Sequence, residues 1–281
     1  MPELPEVQTT VNGLNSTIVN LKVIDVWSDY FLRTASKSTT TIKNKKYFEH
    51  FKKEITGEKI KEVERRGKNV LVHLSGNKTI LVHMKMTGHF LYDNKDKFIH
   101  LDFSLSNGKH LAFSDIRKFA KVFLFETDKR NDLIDISTLG PEPLDDLSFE
   151  KFSEQISKKP SGKIKTVLMD QSVVAGIGNI YSDEILWEAG IHPERKAEKI
   201  SRAEMKKIWQ AMKKILEKSI SMGGDSMSDY RNIYGKKGEF QNAHKVYRRA
   251  GQKCYKKNCS GIIIRKVIGG RSAHFCPVHQ K

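Results

Sequence analysis

The first residues of the chain, MPELPEV, contain a group that could act as a nucleophile. Loss of Met1 would turn Pro2 into a secondary amine, which can attack a sugar carbon and form an iminium adduct. A simpler interpretation is that Pro2 serves only N-terminal processing, since a small second residue permits removal of Met1. These residues alone do not decide between the two.

The C-terminal end of the chain contains a second group of residues that could do chemistry, in this case the binding of a metal ion. All three cysteines lie in the last 28 residues and, with a histidine, have the spacing C-x4-C-x16-C-x2-H. Two close pairs around a hairpin-sized insert are typical of a structural zinc site, in which protein ligands fill all four positions. The predicted ligands of one structural zinc ion are Cys254, Cys259, Cys276 and His279. Four unrelated residues are the alternative.

The composition points to a polyanionic partner. Fifty Lys and Arg against 33 Asp and Glu produce a net charge of +17 and a pI near 9.6. DNA, RNA or an anionic membrane surface would fit this excess, although lysine-rich solvated surfaces are also common. No apolar run approaches the roughly 18 residues that span a bilayer, and no signal peptide is apparent. We therefore expect a cytoplasmic, reducing environment.

The elements that must position these residues change character along the chain. Apolar residues at helical spacing predict a helix over residues 5–16, with Pro5 in its first turn. Short alternating segments then predict an antiparallel sandwich or barrel; these are LKVIDVWS, KNVLVHL, KTILVHM, FIHLDFSL, KHLAFSD and KVFLFET. The later patterns predict helices over 149–156, 164–169, 180–189 and 201–221, a flexible loop over 223–247, and a tail hairpin turning at 269–270. This is an α+β, multi-domain pattern.

Five motifs together resemble the formamidopyrimidine-DNA glycosylase and endonuclease VIII family. They are MPELPEV (1–7), RRGKNV (65–70), HMKMTG (83–88), FSDIRKF (113–119) and VLMDQSVVAGIGNIYSDEILWEAGIHP (167–193), and the tail resembles the family's zinc finger. Leu4 fits the formamidopyrimidine branch, since the endonuclease VIII branch usually has Gly there. The resemblance implies a domain with an N-terminal helix and an antiparallel β-sandwich over 1–140. It further implies a helix-two-turn-helix domain with a lesion loop over 141–248, and a zinc finger hairpin over 249–281.

The resemblance also implies catalytic roles. Pro2 would be the nucleophile and Glu3 the proton donor, while Lys68 and Arg271 would assist elimination and hold phosphates beside the lesion. Without the resemblance, Glu3 would be interpreted as a first-turn acid that the helix dipole favours, and Lys68 as a solvated strand residue.

Other residues would hold the DNA open and in place. A nucleotide that swings out of the duplex leaves a gap, and the resemblance implies that Met86, Arg117 and Phe119 fill it. Alternatively, Met86 and Phe119 would be ordinary core residues of a strand. The implied DNA-binding residues are His100, Arg117, Lys165 and Asn179. Arg117 would hydrogen-bond the base left without a partner, and the other three would contact phosphates, although His100 could be a plain strand histidine. The implied lesion loop consists of Gly223, Gly224, Asp225, Ser226, Met227, Ser228, Asp229 and Tyr230.

Three departures from the family pattern stand out. The finger usually reads C-x2-C-x16-C-x2-C, so the first pair is two residues longer here and His279 replaces a cysteine. Ala120 and Arg248 stand where the family usually has Gly.

We therefore expect a bifunctional DNA glycosylase and AP lyase that removes oxidised purines from double-stranded DNA, with abasic sites as a further substrate. The expected protein is a monomer that associates with the nucleoid through DNA and not with a membrane. An endonuclease VIII-like enzyme for oxidised pyrimidines and a non-catalytic reader of damaged DNA are the alternatives. A reader would have no need of Pro2, Glu3, Lys68 and Arg271 together.

Overall fold

The computed structural model describes residues 1–32, 39–145 and 147–281. The helices are α1 Leu4–Thr17, α2 Lys45–Ile55, α3 Ile134–Ser137, α4 Phe149–Ser157, α5 Ile164–Met169, α6 Asn179–Ala189 and α7 Arg202–Ser221. The strands are β1 Val23–Ser28, β2 Ile60–Arg66, β3 Asn69–Leu74, β4 Lys78–His83, β5 His89–Tyr92, β6 Ile99–Leu105, β7 His110–Ser114, β8 Lys121–Glu126, β9 Ile264–Ile268 and β10 Arg271–Phe275. Short 3₁₀ helices cover Thr127–Asp132, Ala197–Lys199 and Phe240–Ala243. None of the helices described is both long enough and apolar enough to cross a membrane.

The described chain forms two compact units. The first comprises Met1–Ser137 and Met222–Glu239, and the second comprises Thr138–Ser221 and Phe240–Lys281. The segment Met222–Glu239, which contains the predicted lesion loop, therefore groups with the N-terminal residues rather than with the helices that precede it in the chain.

The first unit is an antiparallel β-sandwich, as the alternating segments predicted. One sheet has the strand order β1-β6-β7-β5 and the other has β2-β3-β4-β8. All pairs are antiparallel, and β3 and β4 pair without a register shift from Asn69–His83 to Leu74–Lys78. Residues from both sheets, such as Val72 and Phe103, belong to one buried apolar cluster, which is the core of the sandwich.

Helix α1 packs against this sandwich through the face that its periodicity predicted. Val7, Val11 and Leu14 are buried in the core cluster. Pro5 lies in the first turn, where its missing N–H removes no helical hydrogen bond. The Glu6 carboxylate accepts the backbone N–H of Glu3 at 2.8 Å, which stabilises the start of the helix.

Three elements between residues 20 and 127 were not predicted. Helix α2 buries Phe48, Phe51 and Ile55 on one face, and the Asn44 side chain caps it by accepting the N–H of Tyr47. Because lysines and other polar residues make up most of this helix, its few apolar residues were not recognised as helical among the neighbouring strand patterns. Strand β2 has few apolar residues, and β5 is only four residues long.

The second unit contains the predicted helices and the tail hairpin. The two turns between α5 and α6 are held by Gln171, whose amide donates to the carbonyls of Met169 and Ile177. In the tail, β9 and β10 pair antiparallel. Gly269 and Gly270 form their turn with φ of +56° and +74°, a conformation that favours glycine. The α+β fold expected from the sequence is confirmed.

Candidate functional site

The N-terminus is held in place by α1. Pro2 is buried and Glu3 is only 3% exposed, whereas Met1 is 44% exposed. Glu3 directly precedes the helix, so both residues stand at the positive end of its dipole. The geometry therefore fixes these two side chains before any ligand binds.

The predicted lesion loop is attached to the same helix at two points. The other oxygen of the Glu6 carboxylate accepts the Asp225 N–H at 2.7 Å. The Tyr230 hydroxyl donates to the Glu6 carbonyl at 2.9 Å. Between these anchors, Met227 is 39% exposed. Within the loop expected to be flexible, over 223–247, the segment between Asp225 and Tyr230 is thus held at both ends and exposes Met227, and Glu6 joins it to Glu3.

Lys68 lies in the turn between β2 and β3 and is 7% exposed. Strand β3 is one of those that pack against α1. His83, which pairs with Asn69 across β3 and β4, is close enough to Lys68 to respond to its charge. Burial, with the positive charges of Lys85 and Lys68, lowers the pKa of His83 from 6.5 to about 3. His83 is therefore neutral, and its Nδ1 accepts the Lys85 N–H at 3.0 Å.

The predicted void-filling residues lie on two loops and are exposed. Met86 is 43% and Phe119 is 49% exposed, so neither is a strand core residue. The Arg117 guanidinium lies 4.4 Å from the centre of the Phe119 ring. Both apolar residues follow a lysine in the left-handed conformation, Lys85 at φ +55° and Lys118 at φ +51°. These turns bring the side chains out of the sandwich.

Asp115, which the sequence analysis did not single out, joins the two loops. Its carboxylate is fully buried and accepts hydrogen bonds from Thr87 Oγ1 at 2.6 Å, Tyr30 Oη at 2.9 Å and the Ala120 N–H at 2.9 Å. Thr87 follows Met86 and Ala120 follows Phe119, so one carboxylate fixes both. An aspartate directly after the apolar strand LAFS was the available signal, because a buried acid needs several donors.

His100, one of the predicted phosphate contacts, is partly buried in β6. Its Nδ1 lies 2.8 Å from Asp29 Oδ1, and the Lys118 ammonium lies 3.1 Å from the other oxygen of that carboxylate. The structure thus links His100 to the Phe119 loop. Its predicted phosphate contact stays a prediction.

In the second unit, Asn179 and Arg271 line one open cleft. Asn179 is the first residue of α6, where unpaired backbone N–H groups and the helix dipole favour an anion. Its Oδ1 has no hydrogen-bond partner among the residues that the structure describes. Arg271 begins β10 and is exposed. The structure therefore brings two predicted phosphate-binding residues together.

Lys165 has a different environment from the one expected for a phosphate contact. Its side chain has no exposed surface, and its ammonium lies 2.6 Å from Asp183 Oδ1 and 3.1 Å from Ser182 Oγ. The ammonium is thus bound inside the second unit, and the predicted phosphate contact of Lys165 stays a prediction.

The three tail cysteines form a cluster that could hold a metal ion. Their sulfur atoms all lie within 4.8 Å of one another, and those of Cys259 and Cys276 are 3.7 Å apart. Two thiolates, each about 2.3 Å from a tetrahedral zinc ion, would be about 3.8 Å apart. The sulfur of Cys254 accepts the Trp187 indole N–H at 3.4 Å. The Gly261 N–H lowers the pKa of Cys259, which favours the thiolate that a metal needs.

His279 lies beside this cluster, but its ring is not among the ligand atoms that share the 4.8 Å limit. Its Nε2 is 2.8 Å from the Trp187 carbonyl oxygen. That contact requires a proton on Nε2, which leaves the lone pair on Nδ1. The role of His279 as the fourth ligand stays a prediction, but its ring is in the tautomer that a ligand would need.

Ala120 and Arg248, which stand where the family usually has Gly, differ in what their side chains cost the backbone. Ala120 is buried in the core of the sandwich and is not among the described residues with positive φ, so a side chain fits there without strain. Arg248 has φ of +57°, which costs a residue other than glycine on the order of 1 kcal/mol.

The chain is similar to known proteins over its whole length. It matches the family models of the formamidopyrimidine-DNA glycosylase N-terminal domain over residues 1–122 and of the H2TH domain over residues 139–231. Formamidopyrimidine-DNA glycosylase of Herpetosiphon aurantiacus is 38% identical over 100% of both chains. Its namesake of Pelotomaculum thermopropionicum is 36% identical over 100% of this chain and 99% of the relative.

Solved structures agree with this similarity. A complex between Lactococcus lactis Fpg and abasic-site DNA has a TM-score of 0.87 and 32% identity, with 99% of each chain covered. A complex of MutM with DNA containing carbocyclic 8-oxo-G has a TM-score of 0.86 and 33% identity, with 100% of each chain covered.

Proposed function

The chain belongs to the formamidopyrimidine-DNA glycosylase family, and on that premise we propose that it excises oxidised purines from double-stranded DNA and nicks the strand. Its proposed substrates include 8-oxoguanine, formamidopyrimidines and abasic sites. Similar solved structures are complexes with DNA that contains an abasic site, Fapy-dG or carbocyclic 8-oxo-G, which supports this substrate class. In a cell, DNA binding would associate the protein, as a monomer, with the nucleoid.

The observation that carries the proposal is the pair of loops around Asp115. They hold Met86 and Phe119 exposed to solvent, although burial of such side chains would be favourable. An apolar plug and a wedge, with Arg117 to hydrogen-bond an unpaired base, are what eversion of a nucleotide requires. One shared carboxylate would keep the three side chains in position before DNA binds.

Pro2 and Glu3 would perform the chemistry. After removal of Met1, the Pro2 nitrogen would attack C1′ of the everted nucleotide, the bond from C1′ to the damaged base would break, and the base would leave with the proton that Pro2 loses. Glu3 would then donate a proton to the sugar ring oxygen as the bond between C1′ and that oxygen opens. The Pro2 lone pair would form the resulting iminium, which would acidify the adjacent carbon, C2′. Loss of that proton expels the 3′ phosphate, and a second elimination expels the 5′ phosphate. Lys68 and Arg271 would assist these steps and hold the phosphates.

The cysteine cluster would hold one structural zinc ion. Cys254, Cys259 and Cys276 would bind as thiolates, and His279 would supply Nδ1 as the fourth ligand. The ion would take no part in the chemistry, because all four positions would be filled. It would fix the hairpin that carries Arg271.

Trapping of the intermediate tests the mechanism. Intact-mass measurement should show the loss of one methionine, because Met1 would otherwise tie the Pro2 nitrogen into an unreactive amide. Borohydride added during the reaction with lesion DNA should leave a protein–DNA cross-link on the N-terminal peptide. Glu3→Gln should abolish base excision but still permit trapping on an abasic site. A cross-link on Lys68 instead would refute the role of Pro2.

A panel of single-lesion duplexes tests the substrate class. The proposal expects nicking at 8-oxoguanine and formamidopyrimidine sites to exceed nicking at oxidised pyrimidines. The reverse order would indicate the endonuclease VIII-like activity. Binding to all lesions without excision or trapping would indicate a non-catalytic reader.

A further inference from the structure

Three arginines line the open cleft of the second unit that contains Asn179. The cleft has a volume of about 700 Å³ and is lined by Arg248, Arg265 and Arg271 among others. None of the described residues that line it is acidic. One guanidinium group can donate two parallel hydrogen bonds to two oxygens of a phosphate. This cleft therefore has the charge and the donors to hold a nucleic-acid backbone.

The three arginines differ in what else they bind. Arg265 donates from Nε and Nη2 to Ser272 Oγ at 3.1 and 2.6 Å, so it also braces the hairpin. Arg271 is the residue already placed beside the lesion. Arg248 has no ion pair within the described part of the chain, and its guanidinium lies 6.0 Å from the centre of the Tyr247 ring. Its charge is therefore available to a ligand in the cleft.

The backbone at Arg248 adds an independent observation. Its φ of +57° lies in the left-handed region that favours glycine. Residues in this unfavourable backbone conformation are concentrated at functional sites, where the surrounding structure holds them in place. The next residue, Arg249, shows the contrast: its guanidinium packs 3.6 Å from the centre of the Tyr255 ring and donates to the His244 carbonyl. Arg249 thus has structural contacts, whereas Arg248 faces the cleft.

We propose that Arg248 is an additional phosphate-binding residue, which contacts a DNA backbone phosphate next to the one that Asn179 and Arg271 hold. This inference rests on the proposed function, because it takes double-stranded DNA as the ligand of the cleft. A backbone contact carries no sequence or lesion information. Arg248 therefore strengthens binding to damaged and undamaged duplexes equally.

Three substitutions separate the charge of Arg248 from its backbone strain. Arg248→Gly removes both, Arg248→Asn removes the charge but tolerates the left-handed conformation, and Arg248→Lys keeps the charge. Titration of an undamaged duplex at several salt concentrations should show about five- to tenfold weaker binding for the Gly and Asn variants, and a slope of log K against log salt reduced by about 0.9. Arg248→Lys should retain most of the affinity. Thermal unfolding of all three variants checks that each is folded.

Arg202→Ala is the matched control, since Arg202 is an exposed arginine of the same unit that is not among the cleft residues. Wild-type affinity and salt slope in Arg248→Asn would overturn the proposal, and so would an equal loss in Arg202→Ala, which would show a net-charge effect. Excision by the unaltered protein is measured in parallel. If that protein excises no lesion, the proposed function fails. The role of Arg248 is decided separately, by the duplex affinity and salt slope of its variants.

Discussion

The Lys165 ammonium lies 2.6 Å from the Asp183 carboxylate, and both side chains are completely shielded from solvent. The second oxygen of Asp183 accepts the backbone N–H of His274 at 2.9 Å. The pair therefore connects α5, α6 and β10, the elements that carry Asn179 and Arg271. Through these contacts Lys165 holds together elements that line the cleft of Asn179 and Arg271.

Removal of this lysine should destabilise the second unit strongly. Lys165→Ala leaves the Asp183 carboxylate buried without its cation, which typically lowers the free energy of unfolding by roughly 3–5 kcal/mol. Urea unfolding followed by the fluorescence of Trp187 and Trp209 would measure the loss. Lys163→Ala is the control, because its ion pair with Glu194 is partly exposed and should contribute less than about 1 kcal/mol. Similar losses in both variants would contradict a structural role for the buried pair.

Loss of the Asp115 carboxylate should impair opening of the duplex more than the chemistry. Asp115→Asn replaces one oxygen of the shared carboxylate with an NH2 group, which cannot accept the hydrogen bonds of Thr87, Tyr30 or Ala120. Excision from a fully paired duplex should therefore fall. The defect should be smaller when the lesion faces a mismatched base, because less unpairing energy is then needed. Single-turnover excision on the two duplexes would measure the difference.

Thr87→Val provides a milder version of the same experiment, since it keeps the Asp115 carboxylate and removes only the contacts of the Thr87 hydroxyl, which donates to Asp115 and accepts the Arg117 N–H. Asp102→Asn is the matched control, because Asp102 pairs with His110 on a partly exposed strand surface. Equal defects on paired and mismatched duplexes would remove the assignment of Asp115 to the void-filling loops.

Zinc binding should depend on His279 in a way that spectroscopy can resolve. The protein should contain about one zinc per chain, and X-ray absorption should show three sulfur atoms at about 2.3 Å and one nitrogen at about 2.0 Å. His279→Ala should lose the nitrogen and bind zinc more weakly, and His279→Cys should show four sulfur atoms. An unchanged spectrum in His279→Ala would show that another group is the fourth ligand.

Stability should fall as the pH falls from about 6.5, because His83 is buried in its neutral form. Its pKa is about 3 in the folded protein and 6.5 ordinarily, so between these values the unfolded chain binds more protons. Burial lowers the pKa of His89 in the same direction. The free energy of unfolding should therefore be largest above about pH 6.5 and decrease toward pH 3.

Urea unfolding of the protein and of His83→Asn at pH 7.5, 6.5, 5.5 and 4.5 would test this. The variant keeps an acceptor for the Lys85 N–H but has no titrating group, so its profile should be flatter. Parallel profiles of the free energy of unfolding against pH would show that His83 contributes nothing to the slope.

The pKa of Glu64 is about 2, because burial raises it but the hydrogen bonds from His73 and Arg130 lower it by more. Its contribution is lost only below about pH 4.5, outside the range measured.

Local pattern alone was sufficient to predict much of this protein. Alternation of apolar residues predicted six of the strands, and helical spacing predicted α1 and the four longer helices of the second unit. Amphipathic burial depends on neighbours a few residues away, so these features can be seen in a short window. The same reasoning failed at α2, where charged and polar residues separate Phe48, Phe51 and Ile55 within a region dominated by strand patterns.

The cysteine spacing likewise predicted the cluster that could hold a metal ion. The family resemblance singled out Met86, Phe119, Asn179 and Arg271, but not the cleft that the last two share. Neither could predict the buried polar contacts that hold these residues. Asp115 binds Tyr30 from 85 residues away, Glu6 binds Asp225 from 219 residues away, and Lys165 is enclosed rather than exposed. A charged residue looks the same in sequence whether it faces water or a buried partner. Only the folded chain decides, because burial of a charge is tolerated where distant elements bring its partners within hydrogen-bonding distance.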